Sequence, residues 1–119
     1  MKYIEIERSY DIVNQPKTTP RYLVDRLWPR GIKKESLQLE LWVKELSPSD
    51  DLRKWYNHDP KKWEQFKKLY YSELSSKKEE VEKFLVAIKE FETITLVYSS
   101  TERELNNATA LKEYLLFHK

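Results

Sequence analysis

No cysteine occurs in this sequence, and there is one glycine (Gly31) and only two histidines (His58 and His118), so each scarcity removes a class of chemistry. Without Cys there is no disulfide framework, thiol nucleophile, iron–sulfur centre or Cys-based zinc site. Two His this far apart exclude an HExxH zinc helix. A single Gly excludes the Gly-rich dinucleotide fingerprint and the P-loop, which need several glycines to bring backbone close to phosphate. The longest apolar run is Phe84 to Ile88, and the stretch from Met1 to Tyr10 already carries Lys2, Glu5, Glu7 and Arg8. No signal peptide or membrane span is expected from such a pattern, and the lack of Cys fits a cytoplasmic location. The chemistry that remains uses carboxylates, Arg, Lys, hydroxyls, Trp and a lone His. It implies no metal and no cofactor.

What is present reads as one domain over residues 1–119. The chain is 39% hydrophobic and 35% charged, and 22 Lys plus Arg against 20 Asp plus Glu leave a net charge of +2. Four Trp, eight Tyr and four Phe supply large side chains for a core without staples. A pI near 8.6 with interspersed signs is too mild to announce a nucleic-acid binder by charge alone. The lysines at 61, 62, 67 and 68 are interrupted by Glu64 and read as a solvated helix face.

Along the chain, Ile4 and Ile6 alternate with Tyr3, Glu5 and Glu7 as in a short strand, and Asn14 to Pro20 reads as a loop. Arg21 to Arg26 holds a Tyr22, Leu23, Val24 run suited to a buried strand. That strand must end in a shaped loop, because Pro29 biases Trp28 away from helix and Gly31 permits positive φ. Leu37 to Val43 is ambiguous between strand alternation and a helical face, and is read as helical or irregular. Ser47-Pro48-Ser49-Asp50 looks like a helix start, with Ser47 as the capping hydroxyl, Pro48 at the first helical position and Leu52, Trp55 and Tyr56 as one apolar face. Asp59-Pro60 repeats the signal ahead of Trp63, Phe66, Tyr70 and Leu74. Ser76 with Glu79 opens a third helix with Val81, Phe84, Leu85 and Ile88 inward. Thr93 to Tyr98 is rich in strand formers, and Asn106 is placed to cap a last helix through Ala108, Leu111 and Leu115.

Strands separated by helical segments of this length join more easily in parallel than as hairpins. The expected architecture is therefore α/β, a small, mostly parallel sheet flanked by helices. Ligands of such sheets bind outside the carboxyl ends of the strands, so the loops after Val24 and after Tyr98 should share one edge.

The stretches VDRLWPRGIKKE, LSPSDDLRKWYNHDPKKWEQF and ITLVYSSTERELNNATALKEYL resemble the YeaO-like family of small bacterial proteins, a branch of a larger group described as a domain of unknown function. The resemblance covers nearly the whole chain and implies the α/β fold, but no settled activity. Near the end, relatives in that family typically show a Lys-Asp pair and one or two His around an Asn-His-Ala step. Here those places hold Thr101 and Glu102, Leu105, and Asn106, Asn107 and Ala108. Any His-dependent reaction carried by that loop would be lost in this chain.

At the edge loops, Arg26 and Arg30 flank Trp28, two guanidinium forks for phosphate or carboxylate beside a stacking face for a base. Ser99, Ser100 and Thr101 add hydroxyls and backbone N–H groups, and Asn107 and Arg53 complete the ligand-binding set. Asp25 and Glu102, one after each strand, form a possible acid/base pair with His58 as proton donor. The plainer reading pairs Asp25 with Arg26 or Arg53 as a salt bridge and packs Trp28 in the core. Three functions follow. The first is a domain that binds a phosphorylated ligand, a nucleotide or nucleic-acid end, at the carboxyl edge of the sheet. The second is a hydrolase or lyase of a nucleotide-derived substrate with a carboxylate base. The third is a protein-interaction adaptor that uses exposed aromatics such as Tyr71 or Tyr114.

Overall fold

A computed structural model describes residues 2–118. Four strands form one parallel sheet: β1 (Tyr3–Arg8), β2 (Arg21–Leu23), β3 (Leu41–Trp42) and β4 (Thr93–Tyr98), in the order β1-β4-β2-β3. The α/β expectation holds. In between lie α1 (Ser9–Ile12), α2 (Lys34–Leu37), α3 (Asp50–Tyr56), α4 (Trp63–Ser75) and α5 (Lys78–Ile88), and α6 (Asn107–His118) follows β4.

Side-chain alternation divides the sheet into two unlike faces. Ile4, Tyr22, Val24, Ile94, Leu96 and Tyr98 enter one core with Leu52, Phe66, Tyr70, Phe84, Leu111 and Leu115 from the longer helices. The opposite face is small and is closed by the chain between β1 and β3, where Leu23, Leu37 and Val97 are fully buried. Arg21, only 5% exposed, holds that segment down: its Nη1 donates to Leu37 O at 2.9 Å and its Nη2 to Gln15 O and Pro16 O, both at 3.2 Å.

Several local expectations are corrected. Helix α3 starts two residues later than Ser47-Pro48 suggests. Ser47 instead donates to Lys44 O, closing a 3-10 turn, while Ser49 caps the helix by accepting from Leu52 N. Glu73 of α4 accepts from both the Ser49 N–H and the Ser49 hydroxyl, which pins the cap to the next helix. Trp55 is 39% exposed rather than inward, and Lys62 covers its ring at 5.0 Å. Ser76 bonds back to Glu73 O and ends α4, so its hydroxyl does not open α5, which begins at Lys78 without a side-chain cap.

The segment from 37 to 43 resolves as the end of α2, a left-handed Gln38 and the two-residue strand β3. The aromatics proposed for an adaptor are not a free surface. Tyr114 is buried, and Tyr71 packs against it with ring centroids 5.2 Å apart while donating to Ala110 O. Other expectations hold: Trp63, Phe66, Tyr70 and Leu74 are buried, Lys61 and Lys68 are exposed, Gly31 has φ +80°, and Asn106 caps α6 by accepting from Thr109 N. Among the described residues, no helix is long and apolar enough to cross a membrane.

Candidate functional site

The register of the sheet builds the site. Leu23 of β2 is level with Val97 of β4, so Asp25, two residues on, comes level with Ser99. The Ser99 N–H donates to Asp25 Oδ2 at 2.9 Å. β1 ends at the same edge, where Arg8 pairs with Tyr98 and Arg8 Nε donates to Ser100 O at 2.8 Å. Asn107, in the first turn of α6, donates to Val24 O at 3.0 Å and to Asp25 Oδ1 at 2.9 Å. The ends of β2 and β4 and the start of α6 thus meet around one carboxylate, with the end of β1 bonded to the loop after β4.

Above Asp25 opens a cleft of about 390 Å³, within the ~300–1,000 Å³ range of small-molecule sites. It brings together Asp25, Arg26, Trp28, Arg30, Arg53, His58, Ser99, Ser100 and Asn107 from the sequence reading. Glu102 and Thr101 stay outside its lining. Glu102 Oε1 accepts from the N–H groups of Glu104 and Leu105, and these bonds lower its carboxyl below the ordinary range. It shapes the turn before α6. The expected Asp25 and Glu102 pairing therefore has no geometric support.

The expected salt bridge from Asp25 to Arg26 or Arg53 is also absent. Arg26 Nε donates to Pro48 O at 3.0 Å, and Arg53 pairs at 2.6 Å with Asp50, which Lys54 also reaches at 2.9 Å. Hydrogen bonding from Arg53 and Lys54 pulls the Asp50 carboxyl down to about 2. Among the described residues, neither Arg26 nor Arg30 has a carboxylate within 4.0 Å. Arg26 also borders a second, shallow groove lined by Lys44, Glu45, Lys77 and Glu80. Asp25 is held by neutral donors alone, and desolvation raises its carboxyl above the ordinary value despite the opposing Asn107 and Ser99 bonds.

Trp28 is half-buried rather than a core residue. Its Nε1 closes the loop by donating to Ile32 O at 2.7 Å, and its ring meets Trp42 edge-on at 5.6 Å. Trp42 in turn donates to the Asp25 carbonyl at 2.7 Å, so the aromatic pair steadies the loop that carries the arginines.

Sequence reasoning missed Tyr10, Lys54, Tyr56 and Asn57, which also line the cleft. Tyr56 was legible only as a core residue: its ring stacks on Phe66 at 4.3 Å and its hydroxyl donates to Leu105 O at 2.6 Å. Burial pushes that phenol up to about 12. Asn57 and His58 are successive left-handed residues, φ 43° and 56°, between α3 and the 3-10 turn at Pro60–Lys62. The Asn-His-Asp-Pro run was the available signal for such a turn.

Comparison with known proteins agrees with this description and gives no activity. Escherichia coli (strain K12) has an uncharacterised protein, YeaO, that is 38% identical over 112 residues, 94% of this chain and 96% of the relative. An uncharacterised Mycobacterium tuberculosis (strain H37Rv) protein, Rv3073c, is 38% identical over 71 residues, 60% of this chain and 59% of its own. No solved structure matches the chain. The family model described as "Inactive DUF488-N3 subclade" matches residues 3–118. With that span covered, the chain belongs to the DUF488-N3i family.

Proposed function

We propose that this chain is a non-catalytic binding domain for a phosphorylated ligand, a nucleotide or a nucleic-acid end, seated in the cleft at the carboxyl edge of its sheet. The observation that carries the reading is a charge imbalance. Arg26, Arg30, Arg53 and Lys54 line the cleft; among the described residues Asp25 is the one carboxylate that does, and neither Arg26 nor Arg30 has a carboxylate within 4.0 Å. Guanidinium groups without a protein anion in a concave, partly desolvated site are arranged for an external one. Trp28, Tyr56 and Tyr10 supply flat apolar walls.

Binding is favoured over hydrolysis or elimination by two further features. The family model is described as inactive, and the places where the resemblance implies a Lys-Asp pair and His hold Thr101, Glu102, Leu105 and Asn107 in this chain. Glu102, the second carboxylate a two-acid mechanism would need, is not among the lining residues and is engaged by two backbone N–H groups of its own turn.

The test is calorimetric titration of the protein with pyrophosphate, nucleoside monophosphates and a 5′-phosphorylated oligonucleotide, repeated on Arg26→Gln/Arg30→Gln. The double variant is expected to weaken binding by at least about tenfold, ~1.4 kcal/mol. Its folding stability should stay within about 1 kcal/mol of the parent, because no buried ion pair is broken. Absence of binding by the parent to every phosphate-bearing probe would overturn the reading. So would retention of full affinity by the double variant.

A further inference from the structure

The cleft holds a feature that a plain phosphate site does not need. Asp25 lines the cleft with a hydrogen bond to each oxygen, from the Asn107 amide to Oδ1 and from the Ser99 N–H to Oδ2, both at 2.9 Å, and the Ser99 hydroxyl also acts on the carboxylate. An ionised carboxylate has about four lone-pair positions, so about one or two remain open. No cation lies within 4.0 Å of it among the described residues. Its open positions therefore suit an incoming donor, and they repel an anion placed against them.

Three of the four cations that line the cleft are exposed. Arg30 is exposed, and the Arg53 and Lys54 side chains are 42% and 68% exposed. The Trp28 and Tyr56 rings line the same cleft, with Tyr56 backed by Phe66. The cleft thus offers positive charge, aromatic surface and a hydrogen-bond acceptor together.

Resting on the binding role argued above, we propose that the ligand has two unlike ends, an anionic group held by Arg26 and Arg30 and an N–H or O–H donor bonded to Asp25. A nucleoside monophosphate has this chemistry, and free inorganic phosphate lacks the second end. Asp25 is then the residue that determines specificity, while the arginines supply the affinity common to all phosphates.

The experiment compares inorganic phosphate, ribose 5-phosphate and the four ribonucleoside 5′-monophosphates on the parent and on Asp25→Asn. At least one nucleotide should bind the parent about tenfold or more tightly than inorganic phosphate. Asp25→Asn should erase that margin and leave inorganic phosphate bound as well as before or better. If ribose 5-phosphate shares the margin, the donor is a sugar hydroxyl and the inference stands. A second arm uses the parent only, so it does not depend on Asp25→Asn folding: methylating the donor groups of the tightest nucleotide should remove its advantage. Phosphate bound as tightly as every nucleotide, or a margin that survives both changes, overturns this inference and leaves the binding role intact. Failure of all the phosphates to bind overturns both.

Discussion

The side-chain amide of Asn107 donates to two groups at the end of β2, the Val24 carbonyl at 3.0 Å and the Asp25 carboxylate at 2.9 Å. One side chain thereby fixes the start of α6 to the sheet edge and sets the orientation of the carboxylate in the cleft. Asn107→Ala leaves both acceptors without this donor, at an expected cost of about 1–3 kcal/mol in urea unfolding. The variant should also show a higher Asp25 carboxyl midpoint by NMR, because a bond to the charged form is lost. An unchanged midpoint would show that the amide does not act on the carboxylate.

Arg21 is a cation buried without a carboxylate partner within 4.0 Å among the described residues, bonded instead to three backbone carbonyls. Arg21→Met keeps much of the volume and leaves those carbonyls unmet, so stability should fall by about 2–4 kcal/mol. Arg21→Lys should recover less than half of the loss, since a single ammonium does not reproduce the planar fork. Urea midpoints of the two variants check the order. Equal stability of Met and parent would mean that the segment over the small face is held by packing alone.

The contrast between Arg21 and β4 shows what the sequence makes visible. Thr93 to Tyr98 was readable to the residue because a run of β-formers between turn residues is a local signal. Arg21 looks like any charged residue at a strand start, and its partners lie at Leu37, Gln15 and Pro16, where no period or motif points back to it. The apolar alternation at Leu37, Leu39, Leu41 and Val43 is shared among a helix end, a connection and a two-residue strand, too short for a period to show. The meeting of Asp25 and Ser99 was legible in outline from the parallel rule. The engagement of Glu102 with its own turn was not, since a carboxylate two and three residues before its N–H partners gives the same sequence as a free one.

The Asp25 carboxyl titrates above its ordinary value of 3.8 because burial disfavours the charge. Below the unfolded value the group is protonated in both states and its contribution to stability is fully present. As pH rises, the unfolded chain ionises first and that contribution is lost through the folded midpoint. The stability of the parent minus that of Asp25→Asn should therefore fall with rising pH, starting near pH 4. Taking the difference cancels Asp50, whose lowered carboxyl acts in the opposite direction by losing stability as pH falls toward about 2. Paired urea titrations between pH 3 and 8 measure it, and a difference that rises with pH would contradict the raised carboxyl.

His58 separates the needs of binding from those of folding. It lines the cleft with φ 56°, directly after left-handed Asn57, a backbone region that costs a residue with a Cβ and costs glycine little. Relief of that strain exceeds the added chain entropy of glycine, so His58→Gly should raise stability by about 0.5–1 kcal/mol. His58→Ala keeps the strain and removes only the ring, so it should gain nothing. If the imidazole faces the anion, both variants lose affinity for the tightest phosphate probe, and only the glycine variant melts higher. The two readouts then move in opposite directions in one protein, which a residue that merely closes the turn would not produce. Full affinity in both variants would assign His58 to the turn alone and leave the arginines as the anion contacts.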